Sequence, residues 1–410
     1  MSKKSINIIG AFDRYNYGDL LFPIVVEKYI EKYKSDFLKE YDLKYYGLVE
    51  SDLSRVGGKK TKPLKDLYKK QIEENSMIIV SGGEVLAARI SSMDVDLSSS
   101  NITMITKKII IKIIGRRNFE QISMKKFLLK TRFPWIVNKR GFIENVYVVY
   151  NSVGGSTLNK LRADEVLFIK EALANSDYIS VRDEKSLENI KELKPSLAPD
   201  SATILSEIFP IEILETKITQ KVREIVNSCN KGYICIQTNF CSIRNKEEEL
   251  VQQIEKIAKE TELKVVLLPI GIAANHDDNI ALRKLKDIFK IDVIHIEDIN
   301  IYDIMYFIAK SNFFAGTSLH GSITAMSYGI HHIGLNRDIP KLDNYLKTWD
   351  VEEQNHCIDF NELYEAYNNI KKIPKEKLIE KRKEIIKLTI ENFNSLFMCL
   401  KEEKKDCNNE

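Results

Sequence analysis

The run from Asn312 to Ser322 (Asn-Phe-Phe-Ala-Gly-Thr-Ser-Leu-His-Gly-Ser) changes from apolar to small and polar just where a helical pattern begins. It predicts a strand, a tight loop and a helix from Leu319 to Tyr328 that stops at Gly329. His320 then falls in the first helical turn. Free backbone N–H groups and the positive end of the helix dipole favour an anion there, and an imidazole beside them can exchange a proton with it. Thr317 and Ser318 join it as candidate substrate contacts. The other use of such a histidine is to cap or pack its own helix.

Further chemistry-bearing residues also follow predicted strands. Asn16-Tyr17-Gly18-Asp19 comes after the first strand and before a helix expected near Leu20. Asp19 either caps that helix or offers a carboxylate to a cleft, with Asn16 and Gly18 supplying the turn. This loop is not the GxGxxG dinucleotide fingerprint, so no nicotinamide or flavin is expected. Ser81-Gly82-Gly83-Glu84 exposes backbone N–H groups for close approach of a ligand, and Asn151 to Ser156 repeats the theme. Arg182 can grip a carboxylate or phosphate through two parallel hydrogen bonds while Asp183 caps the next helix; alternatively the two form a network that pins the loop. Pro199-Asp200-Ser201-Ala202 reads as a capped helix start with a structural role. Arg337 and Lys341 place two cations just past the last predicted strand. His331 and His332 adjoin on a strand and point to opposite faces, and no His, Cys or carboxylate cluster has metal spacing, so no metal is expected.

These loops need a scaffold, and the rest of the chain describes one. Short β-branched runs (6–9, 43–46, 77–80, 146–150 and 178–181, then 233–237, 264–269, 293–296, 313–315 and 332–335) alternate with amphipathic helical stretches, which is the pattern of α/β layers with largely parallel sheets. The 410 residues exceed what one core usually fills, about 250 to 300 residues. Two α/β halves facing a cleft are expected: residues 1–215 with a basic insertion at about 90–143, then 216–345, then C-terminal helices and a tail over 346–410. The charged stretch 212–230 is the expected join. In such architectures ligands bind at the carboxyl ends of the strands.

Composition narrows the class. With 44% hydrophobic and 30% charged residues the chain is globular. No segment approaches the roughly 18 apolar residues of a membrane span, there is no signal peptide pattern, and six cysteines lie scattered without a CxxC pair. A cytoplasmic protein is expected. The net charge of +3 hides an imbalance: from Lys107 to Arg140 eleven basic residues face Glu120 alone, a local +10 that leaves −7 elsewhere. They interleave with Ile109, Ile110, Ile111, Ile113, Ile114, Phe127, Leu128, Leu129, Phe133 and Trp135. That mixture suits peripheral contact with anionic lipid at the inner face of a membrane, or a solvated insertion whose apolar residues pack on the main domain. No nucleic-acid partner is expected.

Taken in order, Asn16-Tyr17-Gly18-Asp19, Ser81-Gly82-Gly83, Val181-Arg182-Asp183 with Ser186, Pro199-Asp200-Ser201-Ala202 and Gly316-Thr317-Ser318-Leu319-His320-Gly321 resemble the polysaccharide pyruvyl transferase family over about residues 6 to 345. The resemblance implies two Rossmann-like domains similar to the glycosyltransferase-B arrangement. It implies transfer of pyruvate from phosphoenolpyruvate onto two hydroxyls of a cell-surface polysaccharide, or of its lipid-linked precursor, as a cyclic ketal, with no cofactor. His320 matches the family's histidine and would do acid–base work or bind phosphate; Arg182 matches its arginine and would hold the donor's anionic groups. Lys341 and Arg337 would assist, Asp19 would serve as base or acceptor contact, and Asp183 would orient Arg182. Two departures stand out: Leu319 occupies the place before the histidine where many relatives have arginine, and Glu84 flanks the place of a third early glycine. Two other readings share this architecture. One is a nucleotide-sugar-dependent glycosyltransferase, for which Glu352 and Glu353 are the available late carboxylates; the other is a non-catalytic carbohydrate-binding relative.

Overall fold

The computed structural model describes residues 3–69, 72–271 and 277–400. Every strand run read from the sequence is present, sorted into two sheets. The first takes β1 (Lys4–Ile9), β2 (Tyr41–Gly47), β3 (Ser51–Asp52), β4 (Lys60–Pro63), β5 (Met77–Ser81), β6 (Tyr147–Val153), β7 (Tyr178–Val181) and β8 (Ser196–Leu197). Its order is β3-β4-β2-β1-β5-β6-β7-β8, parallel throughout except at β3 with β4. The second takes β9 (Tyr233–Gln237), β10 (Lys264–Leu267), β11 (Ile294–His295), β12 (Phe313–Gly316), β13 (His332–Leu335) and β14 (Cys357–Ile358), in the all-parallel order β11-β10-β9-β12-β13-β14. Central strands such as β5 and β9 are buried at every position. Helices cover both faces of a parallel sheet, so these strands carry continuous apolar runs rather than alternation.

Strand order reverses beside β1 and β5 in the first sheet and beside β9 and β12 in the second. Loops diverge at such switch points and leave a crevice beyond the strand ends. One apolar cluster runs through both halves, with Ile6, Leu20 and Phe22 of the first joined to Leu268, Ile304 and Ile323 of the second. β14 lies past residue 345, so the second sheet continues into the stretch expected to hold only C-terminal helices. The helix Lys375–Met398 then returns to the first half: Tyr29 stacks on Phe393 at 4.3 Å, and Asn392 donates to the Asn151 side-chain oxygen at 2.8 Å. The expected join folds as helices Ile211–Glu215 and Gln220–Ser228, each of which buries one apolar residue, Leu214 and Val222.

The basic insertion forms three helices, Ile90–Asp96, Asn101–Ile114 and Arg116–Phe127, around a small cluster of Val95, Met104 and Phe119. The apolar residues of its interleaved pattern divide between two faces. Phe127, Leu129, Phe133 and Trp135 are buried in the main core, whereas Ile109, Ile110, Ile113 and Leu128 are exposed. Part of its charge is spent internally: Lys107 and Lys126 pair with Asp94 at 3.0 and 2.6 Å, Arg132 with Glu165 at 3.1 Å and Lys139 with Asp177 at 2.6 Å. No helix among the described residues is long and apolar enough to cross a membrane.

Candidate functional site

The His320 helix forms where the sequence places it, Leu319–Tyr328, because β12 ends at Gly316 and Ser318 caps the first turn by accepting the Gly321 N–H at 3.2 Å. Gly329, at φ 67°, terminates it in the left-handed conformation that glycine tolerates. Thr317 is tied down by Gln237, whose side-chain oxygen accepts its N–H at 2.9 Å. On the opposite lobe Asn16, not Asp19, caps the helix Tyr17–Tyr33 by accepting the Gly18 N–H at 3.2 Å. The helix therefore starts three residues before the expected Leu20, and Asp19 sits in its first turn, 3.8 Å from Arg14. The two lobes touch here, with Tyr17 donating its N–H to the Ile270 carbonyl at 3.2 Å and Asn16 bridging Gly271.

The His320 ring lies directly on Gly18. A Cβ at that glycine would sit 2.0 Å from Nδ1, so only a bare α-carbon admits the imidazole. Phe22 meets the ring edge-on at 5.2 Å. On its far side, Nε2 is 3.7 Å from Asp200 Oδ2, within ion-pair range and longer than a hydrogen bond. Asp200 does cap the turn after β8, accepting the Ala202 N–H at 3.1 Å, but its other oxygen also faces Arg182 Nη1 at 3.2 Å. Burial pushes the Asp200 carboxyl up, and His320 and Arg182 more than offset this, holding it below the usual range.

Arg182 is only 2% exposed and is surrounded by carboxylates: Asp200, Glu84 at 3.5 Å and Asp183 at 3.9 Å. Its guanidinium borders the pocket with its charge already met from within the protein. Asp183 accepts the Ser186 N–H at 2.7 Å and caps the helix Glu184–Asn189; burial raises its carboxyl despite Arg182 and that N–H. Glu84, the residue flanking the early glycines, is fixed by Ser156, the Thr157 N–H and the Thr157 hydroxyl at 2.9, 3.0 and 3.2 Å. Gly154 makes room for it, since a Cβ there would lie 2.5 Å from its carboxylate.

These groups enclose a pocket of about 120 Å³ between the lobes, lined by Asn16, Asp19, Gly83, Glu84, Arg182, Thr317, Ser318, Leu319, His320 and Lys341, together with Gln237, Asn239, Ile270, Gly271 and Asp278. Lys341 begins the helix Pro340–Trp349 and makes no ion pair with any described residue. Its side chain reaches cleft water yet is hemmed in by both lobes. Desolvation and Arg182 lower its pKa against the pull of Asp19, Glu84 and Asp278. Asp278 accepts the side chain of Gln237 and the N–H groups of Ile270 and Gly271, each at 2.9 Å, and burial still pushes its carboxyl up to about 7.

Several expected site residues lie elsewhere. Arg337 turns outward after Asn336, a residue at φ 73°, and pairs with Glu362 on the exposed surface at 2.6 Å. Gly82, at φ 74°, lies against the Phe22 ring rather than the pocket. Gly18 acts through His320, and Asp183 through its helix and Arg182. Glu353 is committed to Lys377 at 2.5 Å and, like Glu352, lies outside the pocket. The sequence pointed to neither Gln237 nor Asp278 as a pocket residue. Gln237 carries a faint signal as the polar end of an apolar strand; Asp278 looks like any charged residue opening an amphipathic helix.

An imidazole backed by a buried carboxylate, an ammonium across from it and a carboxylate at the rim can hold a small anion and move protons to and from it. A model of the polysaccharide pyruvyl transferase family matches residues 16–339. Among solved structures, the chain is similar to the UDP-GlcNAc 2-epimerase of Methanocaldococcus jannaschii in complex with UDP-GlcNAc and UDP (13% identity, 91% of this chain and 94% of that one, TM-score 0.52). It is also similar to the UDP-GlcNAc 2-epimerase of Neisseria meningitidis (11%, 96% and 99%, 0.51) and to the wall teichoic acid polymerase TagF (12%, 99% and 90%, 0.52). At these identities the likeness is one of fold, two α/β halves in the glycosyltransferase-B arrangement. No curated protein matches the sequence at a significant level.

Proposed function

We propose, because the chain belongs to the polysaccharide pyruvyl transferase family, that it transfers the pyruvyl group of phosphoenolpyruvate onto two hydroxyls of a cell-envelope glycan as a cyclic ketal. The observation that carries this reading is the presence, in one pocket, of His320 and of Lys341, the pocket cation that makes no ion pair with a described carboxylate. A donor with phosphate and carboxylate groups would give that ammonium an anion at ion-pair distance. The reaction requires a proton on the donor's methylene carbon, attack of a sugar hydroxyl at the adjacent carbon, loss of phosphate, and attack of the second hydroxyl there. Of the two hydroxyl protons released, one balances the new methyl group and the other leaves on phosphate.

His320 is assigned the proton exchange, with Asp200 holding the ring from behind. Lys341 is assigned the donor's anionic groups, and Asp19 the acceptor hydroxyl. Arg182 serves as a positioning residue: its charge fixes Asp200 and Glu84 and is not presented to the donor. That division accommodates Leu319, since a cation adjacent to the histidine is replaced in function by Lys341 from a different helix. No metal or nucleotide takes part in this scheme.

Phosphate release from phosphoenolpyruvate that depends on an acceptor glycan, a product heavier by one pyruvyl group, and loss of both in a folded His320→Ala variant is the expected result. Absence of phosphate release over a panel of envelope-type acceptors, with thermal stabilisation by a nucleoside diphosphate instead, overturns the proposal in favour of glycosyl transfer.

A further inference from the structure

The helix Asn101–Ile114 is apolar on two opposite faces, and only one is covered. Met104, Ile111 and Ile114 turn inward onto Val95 and Phe119. Ile102, Ile105, Ile109 and Ile113 recur at the i, i+3, i+7, i+11 spacing of a single stripe on the other side, 79%, 52%, 51% and 77% exposed. Isolated exposed apolar residues are ordinary, but four large β-branched side chains in one line are not, because each adds contact area with water and none belongs to an apolar cluster of the described residues.

The charge around this stripe says what covers it. Lys112 lies on the same helix, and Arg116, Arg117 and Lys125 on the next; all four are exposed and none makes an ion pair with a described residue. This distinguishes them from Lys107 and Lys126, which anchor the insertion through Asp94. Glu120, the one acidic residue between 107 and 140, is 2% exposed and bound to Arg89 at 2.9 Å, so no carboxylate from this segment tempers the outer face. Apolar side chains flanked by unpaired cations complement a surface with a hydrocarbon interior and a negative rim.

We propose that this insertion docks the protein onto an anionic lipid bilayer, with Ile102, Ile105, Ile109 and Ile113 entering the acyl boundary and Lys112, Arg116, Arg117 and Lys125 meeting the headgroups. The inference is independent of the transfer reaction, since binding is measured without donor or acceptor. The full chain is floated with vesicles of phosphatidylcholine alone or with about a third phosphatidylglycerol. Binding to the anionic vesicles only, weakened by salt, is expected. The triple variant Ile105→Gln, Ile109→Gln, Ile113→Gln should lose binding by about tenfold or more while staying close to the wild-type melting temperature, because these positions lie outside the apolar clusters of the described residues. The triple charge reversal Lys112→Glu, Arg116→Glu, Arg117→Glu should abolish the preference for anionic lipid. Equal flotation with neutral vesicles, or unaltered binding in the isoleucine variant, overturns the proposal. So does a wild-type dimer that the isoleucine variant turns into a monomer, which would make the stripe an interface between copies.

Discussion

Gly18→Ala tests the placement of the His320 ring. The new methyl would lie 2.0 Å from Nδ1, 2.4 Å from Cγ and 2.5 Å from Cε1, whereas ordinary contact begins at 3.4 Å. The ring must therefore retreat by about 1.4 Å, the difference between 3.4 and 2.0 Å, against Phe22 on one edge and Asp200 beyond Nε2. Misplacement of a catalytic group by about 1 Å costs on the order of 100-fold in rate, or ~2.7 kcal/mol of barrier. The backbone opposes nothing: Gly18 is inside a helix and outside the left-handed region, where alanine is favoured over glycine by ~0.5–1 kcal/mol. The expected outcome is a folded protein, destabilised by about 1–3 kcal/mol through the overlap, whose acceptor-dependent phosphate release falls about 100-fold. Adding Gly18→Ala to His320→Ala should cost no further activity, since the ring it displaces is gone and the clash with it, a strong departure from additivity. A folded Gly18→Ala enzyme with wild-type turnover would refute the assignment of this imidazole to the chemistry.

Lys341→Ala should raise the KM for phosphoenolpyruvate by roughly 10- to 150-fold, the loss of a charge-assisted bond of ~1.5–3 kcal/mol, while Arg337→Ala should leave it unchanged; equal effects in steady-state kinetics would contradict the pocket geometry. Asp200→Asn removes the carboxylate shared by Arg182 and His320 from a fully buried position, and urea unfolding should show a loss of ~3–5 kcal/mol, the penalty of breaking a buried pair. Finally, His332 is buried with Nε2 2.8 Å from Asp350; burial depresses its pKa, but the Asp350 carboxylate more than offsets this and raises it above 6.5. A group that holds its proton more tightly when folded stabilises the protein fully below its unfolded pKa and loses that contribution as pH rises through the folded value. Melting temperature should thus decline as pH climbs above about 6.5, and His332→Gln should flatten that decline; an unchanged slope would show that the pair does not titrate with folding.

The sequence by itself determined the layer architecture and the His320 element. Short β-branched runs spaced by amphipathic stretches fit strands buried on both faces, and the Ser318 cap, the helical spacing and Gly329 are all encoded within a dozen consecutive residues. What lies across the pocket was decided by tertiary structure. Arg182 and Arg337 look equally available as anion ligands in the chain, yet one is held by Asp200 and Glu84 and the other is spent on Glu362, contacts set by residues 18 to 98 positions away. The glycine of Asn16-Tyr17-Gly18-Asp19 reads as a turn former, and its space belongs to a ring 302 residues on in the sequence. Local order follows from local sterics and periodicity, which a linear pattern records. The ionic state and reach of a buried side chain depend on whichever charges folding brings beside it, and only the closed pair of lobes supplies those.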